Sequence, residues 1–290
     1  MADVASTSRS QSWPRSAPLL SCENLVAGYT RDIDILRDLS AKAWAGRISC
    51  VVGPNGTGKS TLLKALFGFL KPSSGRVRLG DKDITGQPPF RMLAAGLAYL
   101  PQRPSLFPHL TVETNLKLGL WHARPKKAVL AEKLERAYAR FPIIREKRAQ
   151  PAGQLSGGQQ RQVEIARSLM TDPSIYLIDE PTAGVDPQTS ELIYEIVRDL
   201  ARDLGKAVLL VDQDIRAALA ITDYVYVVKN GAVFSEGARE DFGSDTDALV
   251  ARWLYASGER HWFASAARSG ACLPKVETGF GTRTCVKSKA

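Results

Sequence analysis

The sequence predicts an α/β fold: a doubly wound parallel sheet with an antiparallel β edge and an inserted α-helical subdomain. Three observations predict it. Two continuous apolar runs, IYLI at 175–178 and AVLLV at 207–211, read as central parallel strands covered on both faces. Between them, 188–204 places Leu192, Ile196, Val197 and Leu200 at helical spacing, which completes a strand–helix–strand alternation. Residues 103–170 instead carry helical periodicity, and these form the inserted subdomain.

The elements follow in chain order. The opening MADVASTSRSQSWPRSAP lacks the apolar core of a secretory signal, and 1–19 reads as a disordered leader. The fold proper is expected over 20–258. Residues 48–52 are a short apolar strand, followed by GPNGTGKST and the helical run LLKALFGFL. Within the helical region, Leu130, Leu134, Ala137, Tyr138 and Phe141 form one core-facing stripe. LSGGQQRQVEIARSLM starts a further helix, because Ser156 and Gln159 have capping-box spacing. The second central strand runs into the polar tip DQD, with a helix after it. In YVYVVKNGAVF, Asn230-Gly231 between apolar stretches signals a hairpin, placing antiparallel strands at an edge. From Glu259 the chain is basic, rich in Gly, Ser and Ala and poorly periodic, and 259–290 reads as a disordered tail.

Composition narrows the function classes. A chain of 290 residues with 44% hydrophobic content supports a sizeable core. No apolar run approaches the roughly 20 residues of a membrane helix, so any membrane role is expected to be peripheral. The four cysteines, Cys22, Cys50, Cys272 and Cys285, form no C-x-x-C pair and have no histidine partners for zinc. Cys50 lies in an apolar strand and reads as a small core residue. The formal charge of +9 suits nucleic acid, anionic lipid or a nucleotide, and does not choose between them.

Three segments carry chemistry. Gly53, Pro54, Asn55, Gly56, Thr57, Gly58, Lys59 and Ser60, with Thr61 following, fit G-x-x-x-x-G-K-[ST] between a strand and a helix. Glycines let backbone N–H groups turn inward around phosphate oxygens, and the helix N-terminus adds positive potential. Lys59 can reach the β and γ phosphates, and the Ser60 hydroxyl can ligate Mg²⁺. The second segment, IYLIDE, releases Asp179 and Glu180 at the carboxyl end of a buried strand, where α/β sheets bind ligands. One acid can hold Mg²⁺ through water, and the other can polarise a water for attack on the γ-phosphate. The bland alternative is a solvated acidic turn. The third, Ser156, Gly157, Gly158 and Gln159, is at its simplest a helix start. Yet a glycine pair weakens a first turn, and it makes sense where backbone must approach an anion. One phosphate loop already serves the chain's own nucleotide, so this second device points to a nucleotide held by another copy.

On these segments the chain resembles the ATP-binding subunits of ABC transporters, over about 20–258. GPNGTGKST resembles Walker A, IYLIDE resembles Walker B, and LSGGQ is the ABC signature sequence. The resemblance implies an ABC-type ATPase with a P-loop NTPase core, using ATP and Mg²⁺. It places Gln102, in AYLPQ, at the Q-loop, with a part in sensing Mg²⁺ and meeting the membrane subunit. It puts Tyr29 against adenine and Asp186, in PTAGVDP, at the D-loop, where Ala183 replaces a common serine. Gln213 falls at the switch position, most often histidine in the family. Glu180, Gln213 and Lys59 are the implied hydrolytic set, and Ser60, Gln102 and Asp179 the implied metal set. DITGQPPFRMLAAGLAYLPQ, LFPHLTVETNL and RWLYASGE are most similar to importer ATPases for branched-chain amino acids and their urea and amide relatives. Gln102 departs from some of those importers, which carry an acid there.

The resemblance implies a homodimer or a heterodimer with a second ABC ATPase, two membrane permeases, and indirectly a periplasmic solute-binding protein. It also implies a peripheral place on the cytoplasmic face of the inner membrane, with no nucleic acid partner expected. Urea or amide import and lipopolysaccharide export are alternatives within the class. A soluble ABC ATPase acting on nucleic acid would usually carry two ATPase units or long coiled-coil arms, and neither is visible here. A nucleotide-binding module without turnover is disfavoured by Glu180.

Overall fold

Mixed and continuous apolar patterns build two different sheets. The structure, a computed structural model, describes residues 16–242 apart from 31, 122 and 124. The leader reading over 1–15, RWLYASGE and the tail from Glu259 lie outside the described residues. Strands β1 (Leu20–Ala27) and β2 (Leu36–Ala43) pair antiparallel, each with interleaved buried and exposed positions. The next strand, β3 (Ile48–Val52), is buried at every position and joins the second sheet. Strands β4 (Ser74–Leu79) and β5 (Lys82–Asp83) return to the first, giving a four-stranded antiparallel sheet in the order β2-β1-β4-β5.

The second sheet has six strands in the order β10-β9-β3-β8-β7-β6. Its members are β6 (Leu97–Leu100), β7 (Ile175–Asp179), β8 (Ala207–Val211), β9 (Tyr224–Lys229) and β10 (Ala232–Ala238), besides β3. Pairing from β6 to β9 is parallel throughout. The Asn230-Gly231 hairpin sits at the sheet edge, with both residues at positive φ, as a tight hairpin turn requires. Only its outer strand, β10, runs antiparallel; β9 pairs parallel with β3.

The sheet divides the interior in two because successive strand residues face opposite ways. Cys50, Tyr176, Ile178, Val208 and Leu210 join a core covered by helices. Val51, Leu177, Leu209 and Val211 join a core shared with the antiparallel sheet and α1 (Lys59–Leu66). The short α2 (Pro89–Ala94) precedes β6. Between β6 and β7 the chain turns helical: α3 (Val112–Leu118), α4 (Lys127–Arg140), α5 (Pro142–Glu146) and α6 (Gly157–Leu169). Leu134, Ala137, Tyr138 and Phe141 are buried as their spacing predicts, with Leu130 partly buried against them. Helix α7 (Pro187–Arg202) links β7 to β8, and α8 (Ile215–Ile221) follows β8. On α7 Ile196, Val197 and Leu200 are buried as expected and Ile193 joins them, while Leu192, expected in the stripe, is 40% exposed. The register levels Val51 and Asp179 with Val211. The loops after β3, β7 and β8 therefore emerge side by side at one edge of the sheet.

Candidate active site

The glycine loop after β3 has the geometry its composition predicts. Gly53 passes so close to β9 that a Cβ there would lie 2.2 Å from the Val228 carbonyl oxygen. Gly58 takes φ +99° at the start of α1, and no side chain caps that helix. Its first N–H groups are left to an anion. Lys59 is buried, and its ammonium donates to the Gly53 and Pro54 carbonyls at 2.8 and 3.0 Å. Burial pulls its pKa down, and Glu180, Asp179 and Asp212 oppose that shift. Thr57 closes the loop by donating to Pro54 O at 2.9 Å, and Thr61 is buried one residue beyond Ser60.

Two carboxylates stand against this loop. Asp179, 3% exposed, accepts the Ser60 hydroxyl at 2.8 Å on Oδ1 and the Tyr99 hydroxyl at 3.2 Å on Oδ2. Burial raises its pKa, and the two hydroxyls counter the rise. A hydroxyl and a carboxylate brought together offer the hard oxygen donors that Mg²⁺ takes, so the residues fit that ion. Glu180, 7% exposed, turns off β7 with φ +44° and donates its N–H to Val211 O at 2.8 Å. Its Oε2 accepts two amides, Gln102 Nε2 at 2.6 Å and Gln213 Nε2. Loops separated by more than a hundred residues thus meet on one carboxylate oxygen. Gln102 reaches Glu180 here rather than the Ser60–Asp179 pair.

The remaining expected residues lie apart from this cluster. Ser156 caps α6 with a complete capping box, its Oγ accepting Gln159 N–H at 3.3 Å and its own N–H donating to Gln159 Oε1. Gly157 is exposed. Gly158 has a packing reason: a Cβ would lie 2.0 Å from Thr189 Cγ2 on α7. Asp186 caps α7 through Thr189, at 3.0 Å to its N–H and 2.6 Å to its hydroxyl. Among the described residues neither Ser156 nor Asp186 hydrogen-bonds the glycine loop or Glu180. Tyr29 is 55% exposed, with Lys64 donating to its hydroxyl at 3.0 Å and lying over its ring.

Polar residues around the cluster that the sequence did not single out include Tyr99, Arg161 and Asp212. Tyr99 sits on β6 in the AYLPQ segment. Arg161 is buried on α6; it pairs with Glu164 and donates to the carbonyls of Pro101, Asp179 and Pro181. Asp212, 2% exposed, ends β8 with its pKa pushed up to about 6 by burial. The signal for Asp212 was present, since it opens the polar tip DQD after an apolar strand.

Known proteins share the family and the fold of this chain. The ABC transporter family model matches residues 36–183, half of the chain. The chain belongs to the ABC transporter family. It is an ATP-binding subunit of that family, a transport ATPase. Among curated relatives, it is 37% identical to a probable branched-chain amino acid transport ATP-binding protein, LivF, from Archaeoglobus fulgidus, over 77% of this chain and 93% of that one. It is 35% identical to the branched-chain amino acid transport protein BraG of Pseudomonas aeruginosa, over 72% and 88%. The lipopolysaccharide export protein LptB of Acidithiobacillus ferridurans is 33% identical over 78% and 93%. An ATP-binding cassette of an ABC transporter solved in its ADP conformation superposes with a TM-score of 0.70 at 31% identity, covering 81% and 98%. Among the described residues, this ABC subunit has no helix long and apolar enough to cross a membrane.

Proposed function

We propose that the chain is the motor subunit of an importer for branched-chain amino acids, working as a pair of ATPases closed around ATP and Mg²⁺. The observation that carries the hydrolytic part is the convergence of Gln102 and Gln213 on Glu180, beside Lys59 and the Ser60–Asp179 pair. Gly53 to Thr61 would wrap the phosphates, and Tyr29 would stack on adenine. Ser60 and Asp179 would hold Mg²⁺, with Gln102 moving from Glu180 to report on it. Bound there, the ion would neutralise phosphate charge. Glu180 would accept the proton of the attacking water. Gln213 would donate to the γ-phosphate oxygens and stabilise charge, since an amide cannot act as a base near neutral pH. Ser156, Gly157, Gly158, Gln159 and Asp186 stand apart from this cluster, which supports their serving the partner copy's nucleotide. Two permeases and a periplasmic binding protein would complete the machine at the cytoplasmic face of the inner membrane.

Similarity to LivF and BraG supports the cargo; similarity to LptB keeps lipopolysaccharide export as the second reading. Glu180→Gln tests the chemistry, because it keeps shape and loses the base. ATP should still bind and drive dimerisation, while turnover falls about a hundredfold or more. A strict monomer with full activity would refute the assignment. Deleting the gene and measuring uptake of labelled leucine tests the cargo; unchanged uptake removes that reading and leaves the ATPase reading intact.

A further inference from the structure

Behind the switch glutamine lies a chain of hydrogen bonds that the hydrolytic reading does not use. It begins at Asp212, at the carboxyl end of β8. Asp212 Oδ1 accepts the N–H of Gln213 at 2.7 Å and of Asp214 at 3.0 Å. Its Oδ2 accepts the Tyr194 hydroxyl, from α7, at 2.9 Å. With that proton committed, Tyr194 accepts from the Thr182 hydroxyl at 3.2 Å. Thr182 stands two residues past Glu180, in the loop that ends at Asp186.

A carboxylate bound to its own following N–H groups is a local turn motif that forms in water. Here the carboxylate is buried, at a desolvation cost that a solvated turn would not carry. The buried Tyr194 adds what the local motif lacks: a fixed plane for the carboxylate, set from a different element. That plane sets the direction in which the backbone releases Gln213, whose amide meets Glu180. The same hydroxyl holds the Thr182 side chain, so the loops after β7 and β8 are referred to one phenol.

We propose that Asp212 and Tyr194 are positioning residues for ATP hydrolysis: they aim Gln213 at Glu180 and, through Thr182, tie that aim to the loop carrying Asp186. This rests on the reading of Gln213 as the group that meets the γ-phosphate. Through this chain, displacing the Asp186 loop shifts Gln213 as well. Hydrolysis then becomes sensitive to the placement of a loop whose Asp186 is bound to Thr189 on α7 rather than to its own copy's glycine loop.

Steady-state ATPase kinetics on the full chain test it with Tyr194→Phe, Gln213→Ala and the double variant, each with a thermal midpoint. Tyr194→Phe keeps the ring and removes the hydroxyl. Its kcat should fall about tenfold with KM for ATP unchanged, the pattern of an interaction made only in the transition state. In the Gln213→Ala background the same change should alter kcat by less than about twofold, because its target is gone. Losses that multiply in the double variant would assign Tyr194 a structural role and overturn the proposal, as would a rise in KM alone. Parental kcat in Tyr194→Phe beside an impaired Gln213→Ala overturns the proposal and spares the switch reading. Parental kcat in Gln213→Ala overturns that reading, and the proposal with it. Should Tyr194→Phe not fold, Thr182→Val enters the same cycle, with Thr182→Ser expected to restore the parental rate.

Discussion

Glu180 holds a left-handed backbone, φ +44°, which a non-glycine residue adopts at a cost of about 1–3 kcal/mol. The bond from its N–H to Val211 secures that conformation and delivers the carboxylate to two amides at once. The identity of the residue at 213 should therefore matter in a graded way. Gln213→Ala removes a donor in a closed site and should cost roughly a hundredfold in turnover while ATP still binds. Gln213→His should stay active, because imidazole also donates. Gln213→Glu should fall below alanine, since it sets a second carboxylate against Glu180 and the phosphate. Turnover measured on the three variants checks the order; equal rates in parent, alanine and glutamate forms would make Gln213 a bystander. Asp212 carries a different expectation. Its folded pKa, about 6, lies above the ordinary 3.8, so the folded state holds its proton over that interval. Stability from this group is complete below about pH 4 and is lost as pH rises through 6. Asp212→Asn keeps the two backbone bonds and can donate to Tyr194, without the buried charge. Its thermal midpoint should exceed the parent's above pH 6, by up to about 3 kcal/mol of stability, and the gap should close towards pH 4. A constant gap across that range would mean Asp212 does not titrate on folding.

Gly158 shows how an element contact hides inside a functional motif. The glycine pair after Ser156 reads as an anion cradle, yet Gly158 lies where α6 meets α7. Thr189 cannot swing away freely, because its hydroxyl is bound to Asp186 at 2.6 Å and its side chain is β-branched. Gly158→Ala should therefore push the two helices apart and cost about 1–3 kcal/mol. Adding Thr189→Ser removes the offending methyl and keeps the hydroxyl, and should recover part of the loss in a thermal melt. No recovery would place the strain elsewhere. The same distinction between local and distant causes explains what could be read from the chain. Strands β3, β7 and β8 were legible because burial on both faces leaves an unbroken apolar run. The glycine loop and Asp179-Glu180 were legible because their chemistry is written in consecutive residues. The antiparallel sheet was not, because LRDLSAKA and SGRVRL interleave charge with apolar positions. Ile196, Val197 and Leu200 are buried as their spacing predicts; Leu192 was included because 192 and 196 are also a helical pair, and it falls at the margin of the stripe that Ile193 completes. Tyr194 was not legible because its partners, Asp212 and Thr182, come from other segments, and Arg161 because the three carbonyls it binds lie outside its own helix.

At the scale of the whole molecule, the polar groups fall into two sets. In the first, Ser60 binds Asp179, Gln102 and Gln213 bind Glu180, and both carboxylates act on the Lys59 ammonium through charge. Ser156 and Asp186 instead cap α6 and α7, with their caps turned to neighbours on those helices. A two-fold pair of subunits would bring the second set of one copy to the first set of the other, and a two-fold axis does this for both sites at once. This can be tested with two defective chains. Ser156→Arg places a guanidinium where the partner's phosphates would meet the signature, so its homodimer has two damaged sites. Lys59→Ala removes the phosphate-binding ammonium, so its homodimer also has two. A mixed dimer has one site with native Lys59 facing native Ser156, and one site with both changes. Random pairing in an equal mixture then restores roughly a quarter of all sites. Trapping of labelled nucleotide should be near background for either chain alone and should reappear on mixing. The trapped label should lie on the Ser156→Arg chain, which keeps the intact glycine loop. No recovery on mixing would mean that the signature serves its own copy, since neither chain carries both native halves.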